Sequence, residues 1–480
     1  MHHWRTVGLG IPCQVASPQS PSPFPQPPGS LANKEKEKSG ILSWPAVWKV
    51  FVTKLFLRGQ DKMHLQTILN RVQQHKSFVY KKASLVEKKG KPGIEVEIQA
   101  RKNSRPVCSG CGRVGPGYDK DREPRRFEFV PLWGMAVIFL YAMRRVDCRR
   151  CGVKVERVPW AEGKNHLTTT YQCFLAQWAK LLSWKQVARS FRTTWDNVFR
   201  SVKMVVSWGL EHRSLDGIEA IGVDEVQWQK GHHYLTLVYQ IDQKCKRLLW
   251  IGKDRTAKSF LGFFRMLGQE RAASIRFVCS DMWKAYLKVI RKKLPGAINI
   301  LDRFHIMKLM NKAIDKTRAG EAKRLKQDGY LPVLKNSRWL WLKRVWNLTR
   351  NQAVKLQELL KYNLQTVRAY LLKEDFHHFW EYRSAGCAKR FLKGWCTRVL
   401  RSRIEPMKTV ARTLRTHEGL ILNWFRAKGT MSSGVVEGLN YNVKLSMRKA
   451  YGFRTYDGAE VALYHRLGKL PEPKLAHGFC

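Results

Sequence analysis

The stretch Ile218–Asp242, IEAIGVDEVQWQKGHHYLTLVYQID, decides how the rest of the chain is interpreted. Apolar and polar residues alternate from Ile221 to Asp224, and a β-branched and aromatic run follows the turn at Lys230-Gly231. This pattern predicts a β-hairpin. We expect Asp224 to end the first strand, where a carboxylate can project from the sheet edge into a cleft. The alternative is an acid that is simply solvated at a strand end.

The residues that follow predict the remainder of an α/β domain. In order, they predict a third strand (Lys246–Gly252), a helix with an apolar face (Thr256–Leu267), a fourth strand (Ile275–Cys279), a helix (Met282–Lys292) and a fifth strand (Ala297–Leu301). This is the element order of ribonuclease-H-like nucleases. The first and fourth strands are neighbours in such a fold, so Asp224 and Asp281 are expected to lie close enough to share a metal ion.

Composition indicates the partner of the chain. Its 480 residues include 88 Lys and Arg against 37 Asp and Glu, a formal net charge of +51. Because many basic residues stand next to aromatic ones, this charge predicts nucleic acid as the partner. An anionic membrane surface would require a basic amphipathic helix, which does not stand out, and a ribosomal protein with 18 Trp would be unusual.

Neither a membrane nor an oxidising compartment is predicted. No uninterrupted apolar run approaches the length of about 20 residues that a transmembrane helix needs, and the N-terminus lacks the order of a signal peptide. The 11 cysteines are not disulfide-dense in a chain of this length. We therefore expect reduced thiols and a cytoplasmic location.

Residues 1–62 differ from the rest of the chain. Ser17–Ser30 is rich in Pro and Ser, which predicts an extended or disordered segment. We expect the natural start at Met63, which would make residues 1–62 a spurious extension. A flexible basic tail is the alternative.

Two CxxC pairs, Cys108-Ser-Gly-Cys111 and Cys148-Arg-Arg-Cys151, are separated by 36 residues, and a glycine follows each pair. Four thiolates arranged in this way suit a structural Zn²⁺ ion. The spacer is longer than in most zinc fingers, but a β-hairpin predicted over Arg126–Val146 would bring the pairs together. Four buried free cysteines, the alternative, would leave the doubled spacing unexplained.

Three helices predicted within residues 165–212 have the spacing of a helix-turn-helix. Ser183-Trp-Lys-Gln186 is a capping box that opens the second helix. Such a motif places the first turns of its third helix in the major groove of DNA. The residues predicted there are Trp195, Asn197 and Arg200. An ordinary α-hairpin is the alternative, since Arg192 stands where these turns usually have glycine.

Residues 309–430 are predicted to form an all-α insertion. They contain few Gly and Pro and many Lys, Arg, Leu and Trp. The tryptophans are expected in the core of the insertion rather than as platforms for base stacking; they include Trp339, Trp346, Trp380 and Trp395.

The stretch Gly429–Phe453, GTMSSGVVEGLNYNVKLSMRKAYGF, predicts a helix capped by Ser432 or Ser433, with Glu437 in its second turn. Polar and basic residues recur at helical spacing on the same side. They are Asn440, Tyr441, Lys444 and Arg448. An acid flanked by this stripe suits a metal and phosphate site, although a glutamate alone is more often solvated.

Five motifs occur in a fixed order. They are the double-CxxC module ahead of a helix-turn-helix, Ile221–Glu225, Ser280–Tyr286, Asp302–Lys308, and Ser433–Asn440 with Arg448–Phe453. Together they resemble the transposases of bacterial insertion sequences, and most closely the IS-L-three family. The resemblance extends from about Met63 to Leu470.

The resemblance implies a DDE triad on a ribonuclease-H-like fold. Its members would be Asp224, Asp281 and Glu437, with 56 and 155 residues in the two gaps. Asp302 also matches a family position, and we interpret it as a support behind the metal ligands or as a helix cap. Glu225 is expected to face away from Asp224, because side chains alternate along a strand.

The resemblance also implies the reaction and the partners. The triad would hold two Mg²⁺ (or Mn²⁺) ions for DNA cleavage and strand transfer, with Asn440, Lys444 and Arg448 near DNA phosphates and Zn²⁺ in a structural role. The partners would be double-stranded DNA, as terminal inverted repeats and target, and a second copy of the chain. The site of action would be the bacterial nucleoid, with no membrane involved.

Two other classes of protein remain open at this point. A non-catalytic zinc and helix-turn-helix regulator would explain the charge and the N-terminal modules, but not three acids distributed over an α/β domain. A structure-specific nuclease would use the same triad without the N-terminal DNA-reading modules.

The predicted fold class is multidomain α+β. The predicted segments are a disordered or spurious extension (1–62), a zinc-binding β domain (63–160), a helix-turn-helix (165–212), the first part of the catalytic core (217–308), an all-α insertion (309–430), and the catalytic helix with the end of the core (431–470).

Overall fold

Alternating apolar residues near the N-terminus form two small β-sheets. The computed structural model describes residues 64–88, 90–427 and 434–473. The first elements are α1 (Leu65–Val72), β1 (Phe78–Lys88), β2 (Lys91–Ala100), β3 (Gly117–Lys120), β4 (Arg125–Leu132), β5 (Met135–Tyr141), β6 (Arg144–Cys148) and β7 (Gly152–Val155). The strand orders are β1-β2-β5-β4 and β3-β6-β7. The smaller sheet carries one of the two CxxC pairs at the end of β6.

Three helices follow, and the sequence sets where each begins. They are α2 (Thr169–Leu181), α3 (Trp184–Ser190) and α4 (Trp195–His212). The capping box predicted at Ser183 and Gln186 is confirmed, with both reciprocal hydrogen bonds present. Arg192, in the turn before α4, has a φ of 53°. It therefore adopts the left-handed conformation that glycine usually supplies in such turns.

A five-stranded mixed sheet forms the centre of the next region. Its elements are β8 (Ala220–Gln229), β9 (His233–Ile241), β10 (Lys246–Lys253), α5 (Ala257–Leu267), α6 (Gln269–Ala273), β11 (Phe277–Ser280), α7 (Lys284–Lys293) and β12 (Ile298–Leu301). The strand order is β10-β9-β8-β11-β12. β9 is antiparallel to both β8 and β10, whereas β11 is parallel to β8 and β12. Strands β8, β10, β11 and β12 therefore run in one direction, and their C-terminal ends share one edge of the sheet.

The first strand is longer than predicted. Asp224 was expected at its end but lies in its middle, because β8 continues to pair with β9 as far as Gln229 and His233. The predicted turn is present at Gly231, which has a φ of 84°. The Asp224 side chain therefore projects from a face of the sheet and not from the end of a strand.

Helices dominate the following residues, as predicted. They are α8 (Arg303–Gln327), α9 (Arg338–Leu342), α10 (Arg350–Leu360), α11 (Gln365–His377), α12 (Ala385–Arg401), α13 (Glu405–Thr416) and α14 (Glu418–Arg426). Helix α8 begins directly after β12, so the predicted boundary at residue 309 falls inside a continuous helix.

The prediction that the tryptophans of this region lie in its core is only partly correct. Trp380 and Trp395 are buried, but Trp339 and Trp346 are exposed. Trp341, which lies between them in the sequence, is fully buried in the core of the helical region. Composition cannot distinguish these three neighbouring indoles, because only packing decides which of them faces inward.

Two helices complete the structure, α15 (Gly434–Lys449) and α16 (Tyr456–Leu467). The expected caps of α15, Ser432 and Ser433, lie outside the described residues. α15 packs directly on β8: a Cβ atom added to Gly222 would be 2.4 Å from Val436 Cγ2. The glycine in the Ile221–Glu225 motif is therefore required by the close approach of this helix.

The predicted segments share their apolar cores. One buried cluster extends from Leu69 through the N-terminal sheet, the three helices and one face of the five-stranded sheet to Leu467. A second lies inside the helical region, and a third covers the opposite face of the five-stranded sheet. Among the helices that the structure describes, none has the length and apolar character needed to cross a bilayer.

Candidate active site and metal centre

The two CxxC pairs converge on one point. The four Sγ atoms of Cys108, Cys111, Cys148 and Cys151 all lie within 4.8 Å of one another, and those of Cys111 and Cys148 are 3.6 Å apart. Four sulfurs bound to one Zn²⁺ at 2.3 Å in a tetrahedron would be about 3.8 Å apart. The arrangement therefore fits a structural Zn²⁺ ion. Within the described ranges it is the only group of three or more potential ligands at such distances.

The local backbone explains this convergence. Gly112 and Gly152 follow the two pairs with φ values of 69° and 70°, which only glycine adopts without strain. At the second pair, the backbone N–H groups of Arg150 and Cys151 lower the pKa of the Cys148 thiol to about 7. These donors act in favour of the Cys148 thiolate, the metal-binding form, whereas the neighbouring thiols and burial raise the pKa of Cys151 to about 12.

Three aspartates lie in a row across adjacent strands of the five-stranded sheet. The parallel register pairs Gly222 with Cys279, and Ser280 with Leu301. The acids that follow at the same level are Asp224, Asp281 and Asp302. All three line one pocket. The expected proximity of the first two acids is therefore present, and the third member of the row comes from the start of α8.

Asp224 is held by hydrogen bonds from two different elements. Its Oδ1 accepts from the backbone N–H of Glu225 at 2.7 Å, and its Oδ2 accepts from Asn440 Nδ2 at 2.5 Å. Burial raises the pKa of Asp224, and the charges of Asp302 and Asp281 act in the same direction. A cation in the pocket would offset this repulsion, so the site favours the binding of positive charge.

Asp281 has partners that the sequence did not identify. Its Oδ1 accepts from the backbone N–H of Trp283 at 2.9 Å, and its Oδ2 lies 3.9 Å from the guanidinium of Arg255. Arg255 also pairs with Glu225 at 2.7 Å and lies 4.6 Å above the Trp283 ring. Burial, with the charge of Asp281, raises the pKa of Glu225 to about 7. Glu225 is thus turned away from Asp224, as predicted, but towards a second acid of the site.

The position of Arg255 could have been found from topology. It follows β10, which runs in the same direction as β8 and β11. Residues after these strands therefore meet at one edge of the sheet. Sequence reasoning missed Arg255 because it considered only acidic side chains at strand ends.

Asp302 caps helix α8. Its Oδ1 accepts from the backbone N–H of Phe304 at 2.7 Å, and its Oδ2 lies 2.9 Å from His305 Nδ1. Burial lowers the pKa of His305, but the hydrogen bond and charge of Asp302, aided by Asp224 and Asp281, outweigh it and raise the pKa overall. His305 lines the pocket as well. Its spacing of three residues from Asp302 on a helix was the available sequence signal.

Asn440 has a different setting from the one expected for a DNA contact. It is buried, and its Oδ1 accepts from the Tyr239 hydroxyl at 2.7 Å while its amide donates to Asp224. Both ends of the side chain are thus occupied inside the protein. The residue joins α15 to strands β8 and β9 at the pocket.

Glu437 lies on α15, exposed, one turn before Asn440 and next to Val436. Val436 lines the pocket, whereas Glu437 is not among the lining residues. The structure therefore brings Asp224, Asp281 and Asp302 together and leaves Glu437 on the helix that borders them. On the same helix, Lys444 and Arg448 are exposed, the latter with its guanidinium 5.9 Å from the Tyr441 ring.

The three residues predicted to read DNA lie at the start of α4. Trp195 is half exposed and stacks on Phe199 at 5.4 Å. Arg200 is exposed and pairs with Asp196 at 2.7 Å. Asn197 is partly buried, and its amide donates to Thr193 Oγ1 at 3.0 Å. Trp195 and Arg200 are thus accessible, whereas the Asn197 amide is partly committed to the turn. 

Comparisons with known proteins identify the family of two regions of the chain. A family model described as a transposase, of the ISL3 type with a DDE domain, matches residues 221–461. A second model, the zinc finger of transposases IS204/IS1001/IS1096/IS1165, matches residues 104–151. The four clustered thiols therefore belong to a zinc ribbon.

Two curated relatives cover most of the chain. The transposase for insertion sequence element IS1001 of Bordetella parapertussis is 30% identical over 367 residues, 76% of this chain and 89% of that protein. The transposase for insertion sequence element IS1557 of Mycobacterium tuberculosis (strain CDC 1551 / Oshkosh) is 29% identical over 374 residues, 72% of this chain and 82% of that protein.

Proposed function

The chain belongs to the IS-L-three (ISL3) family of transposases, and on that premise we propose that it binds the terminal inverted repeats of an insertion sequence and catalyses metal-dependent cleavage and strand transfer of DNA. The observation that carries the proposal is the row of carboxylates. Acids at one level on neighbouring parallel strands, beside a helix that orients one of them, suit divalent cations. A non-catalytic DNA-binding regulator would need no such row.

The topology supports a ribonuclease-H-like core. Numbered in chain order within the sheet, the strands follow the order 3-2-1-4-5. The first three are antiparallel neighbours, and the last two are parallel to the first. This is the arrangement expected from the element order of the sequence.

Asp224, Asp281 and Glu437 are the proposed triad. Carboxylate oxygens are the ligands preferred by Mg²⁺ and Mn²⁺, so the donor set fits. Bound there, two such ions would supply positive charge to the attacking and leaving oxygens of an in-line phosphoryl displacement. The protein's own contribution is to orient the ligands, through the Glu225 N–H and Asn440 at Asp224 and through the Trp283 N–H at Asp281.

The proposed reaction has two displacements. A water oxygen forms a bond to phosphorus at the end of the element and loses a proton, while the bond from phosphorus to the 3′ oxygen breaks and that oxygen takes up a proton. That 3′ hydroxyl then forms a bond to a phosphorus of target DNA, loses its proton, and displaces a 3′ oxygen of the target.

Asp302 is the proposed support for the triad rather than a member of it. One of its oxygens caps α8 and the other contacts His305, whereas Glu437 is exposed on the bordering helix. The two acids can be separated experimentally. Asp302→Asn retains the ability to cap the helix, so it should keep more activity than Glu437→Gln, which removes a ligand.

The zinc ribbon and helices α2–α4 are the proposed DNA-reading modules. The left-handed Arg192 supports a helix-turn-helix, because it gives the turn before α4 the conformation that such motifs need. Trp195 and Arg200 would contact DNA from the start of α4, and Asn197 would brace the turn. Lys444 and Arg448 would neutralise phosphates near the triad. A second copy of the chain would hold the other end of the element at the nucleoid.

A paired assay tests this function. The gene's own flanking DNA is placed on a reporter plasmid, and excision and integration are compared between wild type and Asp224→Asn. We expect joined products with wild type and a loss on the order of a thousandfold or more in the variant. Asp242→Asn, an acid after the neighbouring strand, is the matched control and should stay active. Full strand transfer by Asp224→Asn would refute the assignment.

A further inference from the structure

Two tryptophans of the helical region lie on its surface. Trp339 is 57% exposed and Trp346 is 74% exposed. Between them, Trp341 is fully buried, and its indole N–H donates to Ser337 Oγ at 3.1 Å. The buried indole anchors the segment while the other two remain in solvent. Large aromatic side chains kept exposed on an anchored segment are typical of binding surfaces.

Further contacts fix the segment. The ammonium group of Lys373, itself buried, donates to the carbonyl of Trp341 at 2.8 Å. Arg338 pairs with Asp315 of helix α8 at 3.0 Å. Directly after this segment, a capping box between Thr349 and Gln352 starts α10. The backbone that carries the two exposed indoles is therefore anchored before any ligand binds, which lowers the entropy cost of binding.

The surface is cationic as well as aromatic. The guanidinium of Arg338 lies 5.4 Å from the Trp339 ring centre, and that of Arg344 lies 5.0 Å from the Trp346 ring centre. Lys335–Lys355 contains six Lys or Arg and no Asp or Glu. Proteins hold single-stranded nucleic acid with aromatic faces for the bases and adjacent cations for the phosphates. A second copy of this chain would bring like charges together, so an anionic polymer suits the surface better.

One residue at the start of helix α8 connects this surface electrostatically with the acidic pocket. Arg303 follows Asp302 in the chain, and its guanidinium lies 5.1 Å from the Trp380 ring centre. Burial lowers the pKa of Arg303, and the charge of Arg344 lowers it further. Arg344 therefore acts electrostatically on the residue next to Asp302.

We propose that Trp346 and Arg344 form a site for an unstacked nucleotide of DNA. The base stacks on the Trp346 indole, and Arg344 pairs with the adjoining phosphate. Trp339 and Arg338 supply a second position of the same kind. The site deepens the proposed function, because it receives the strand that leaves the acidic pocket; its affinity for a single strand does not depend on cleavage.

Binding is measured with the full chain carrying Asp224→Asn, so that cleavage cannot interfere. The probe is a single-stranded oligonucleotide with one 2-aminopurine, whose fluorescence is quenched by stacking. We expect Trp346→Ala to weaken binding about tenfold and to remove the quenching, because stacking contributes roughly 1–3 kcal/mol per base. Trp346→Phe keeps an aromatic face, so it should retain most of the binding affinity and most of the quenching. Leu331→Ala, a 79% exposed apolar side chain of the same region, is the control.

Salt dependence separates stacking from charge. Arg344→Gln should flatten the salt slope of single-strand binding by about 0.7, whereas Trp346→Ala should leave the slope unchanged. Unchanged affinity in Trp346→Ala, or an equal loss in Leu331→Ala, overturns the proposal. Both outcomes are read in binding alone, so they are distinct from a failure of the triad, which appears as strand transfer by Asp224→Asn.

Discussion

The four thiols of the zinc ribbon and the three carboxylates of the acidic pocket are brought together in different ways. In the zinc ribbon, two short loops bring four sulfur atoms within 4.8 Å of one another. In the pocket, Asp224, Asp281 and Asp302 come from three strands, and each carboxylate is held by protein hydrogen-bond donors. In the first site the sulfur spacing itself suits the ion, whereas in the second each acid is oriented by its own hydrogen-bond donors.

The difference fits the roles proposed for the two sites. A structural ion stabilises the fold and is bound by ligands from local loops that suit it. A catalytic site must admit substrate and metal together, and hydrogen bonds from the surrounding protein orient its ligands. The zinc site should therefore respond to changes within its loops, and the acidic site to changes in residues that are distant in sequence.

The largest effect is expected at the zinc ribbon. Cys108→Ser should reduce the zinc content from about one ion per chain to near zero, because structural Zn²⁺ requires its four ligands. The N-terminal region should then become sensitive to protease. Metal analysis and limited proteolysis measure this. Cys245→Ser, in the turn after β9, is the control and should keep its zinc; a full zinc content in Cys108→Ser would contradict the assignment.

The next effect concerns the hydrogen bond by which Asn440 orients Asp224, a residue far away in the sequence. Asn440→Ala removes the donor to Asp224 and should lower strand transfer by about 10–100-fold, the cost typical of losing a residue that orients a metal ligand. Zinc content should not change. The apparent affinity for Mn²⁺, measured by titration, should fall in parallel. Asn442→Ala on the same helix is the control, and equal activity in the two variants would show that Asn440 does not orient the site.

A smaller effect concerns the contact between helix α15 and the sheet. Gly222→Ala should lower the free energy of unfolding by roughly 1–3 kcal/mol, because the added Cβ overlaps Val436. Val436→Ala in the same chain removes the overlapping methyl groups and should restore part of the loss. Gly438→Ala, where a Cβ meets open space, should instead stabilise the helix by roughly 0.5–1 kcal/mol. Urea unfolding measures all three, and destabilisation by Gly438→Ala would argue against this contact as the cause.

The smallest effect is local and has the opposite sign. Arg192→Gly should raise the free energy of unfolding by about 1 kcal/mol, since a left-handed conformation costs other residues roughly that much relative to glycine. Arg189→Gly, inside helix α3, should lower it by a similar amount. Thermal unfolding of the two variants gives the comparison. A loss of stability in Arg192→Gly would mean that its side chain makes contacts that outweigh the strain.

Many of the elements that carry the candidate active site could be predicted from local patterns. Alternation and turn residues located β8 and β9, the capping box at Ser183 located the start of α3, and the apolar face of Thr256–Leu267 located α5. Asp281 could be placed after a strand because the apolar run before it is short and clearly bounded. The length of β8 could not be predicted, since its last residues remain in the sheet only through pairing with β9.

The remaining features of the site depend on contacts between distant segments. The hydrogen bond from Asn440 to Asp224 joins residues 216 positions apart, and helical spacing alone could not show that this side of α15 is buried. The partners of Asp281 and the pocket position of Asp302 likewise required the register of three strands. Alternation along β8 predicts that Glu225 faces away from Asp224. Its ion pair with Arg255, which also lies near Asp281, could not be predicted from the sequence.

The sequence by itself determined the charge of the protein, which predicts a polyanionic partner, the four cysteines of the zinc ribbon, and the positions of the two acids proposed as the first members of the triad, because each depends on composition or on patterns within a few residues. Only the tertiary structure decided which acids share the pocket, that Asn440 supports Asp224, and that Trp341 is buried while Trp339 and Trp346 are exposed. The physical reason is that periodicity fixes which side chains share a face of an element. What covers that face is decided by the packing of segments that are far apart in the chain.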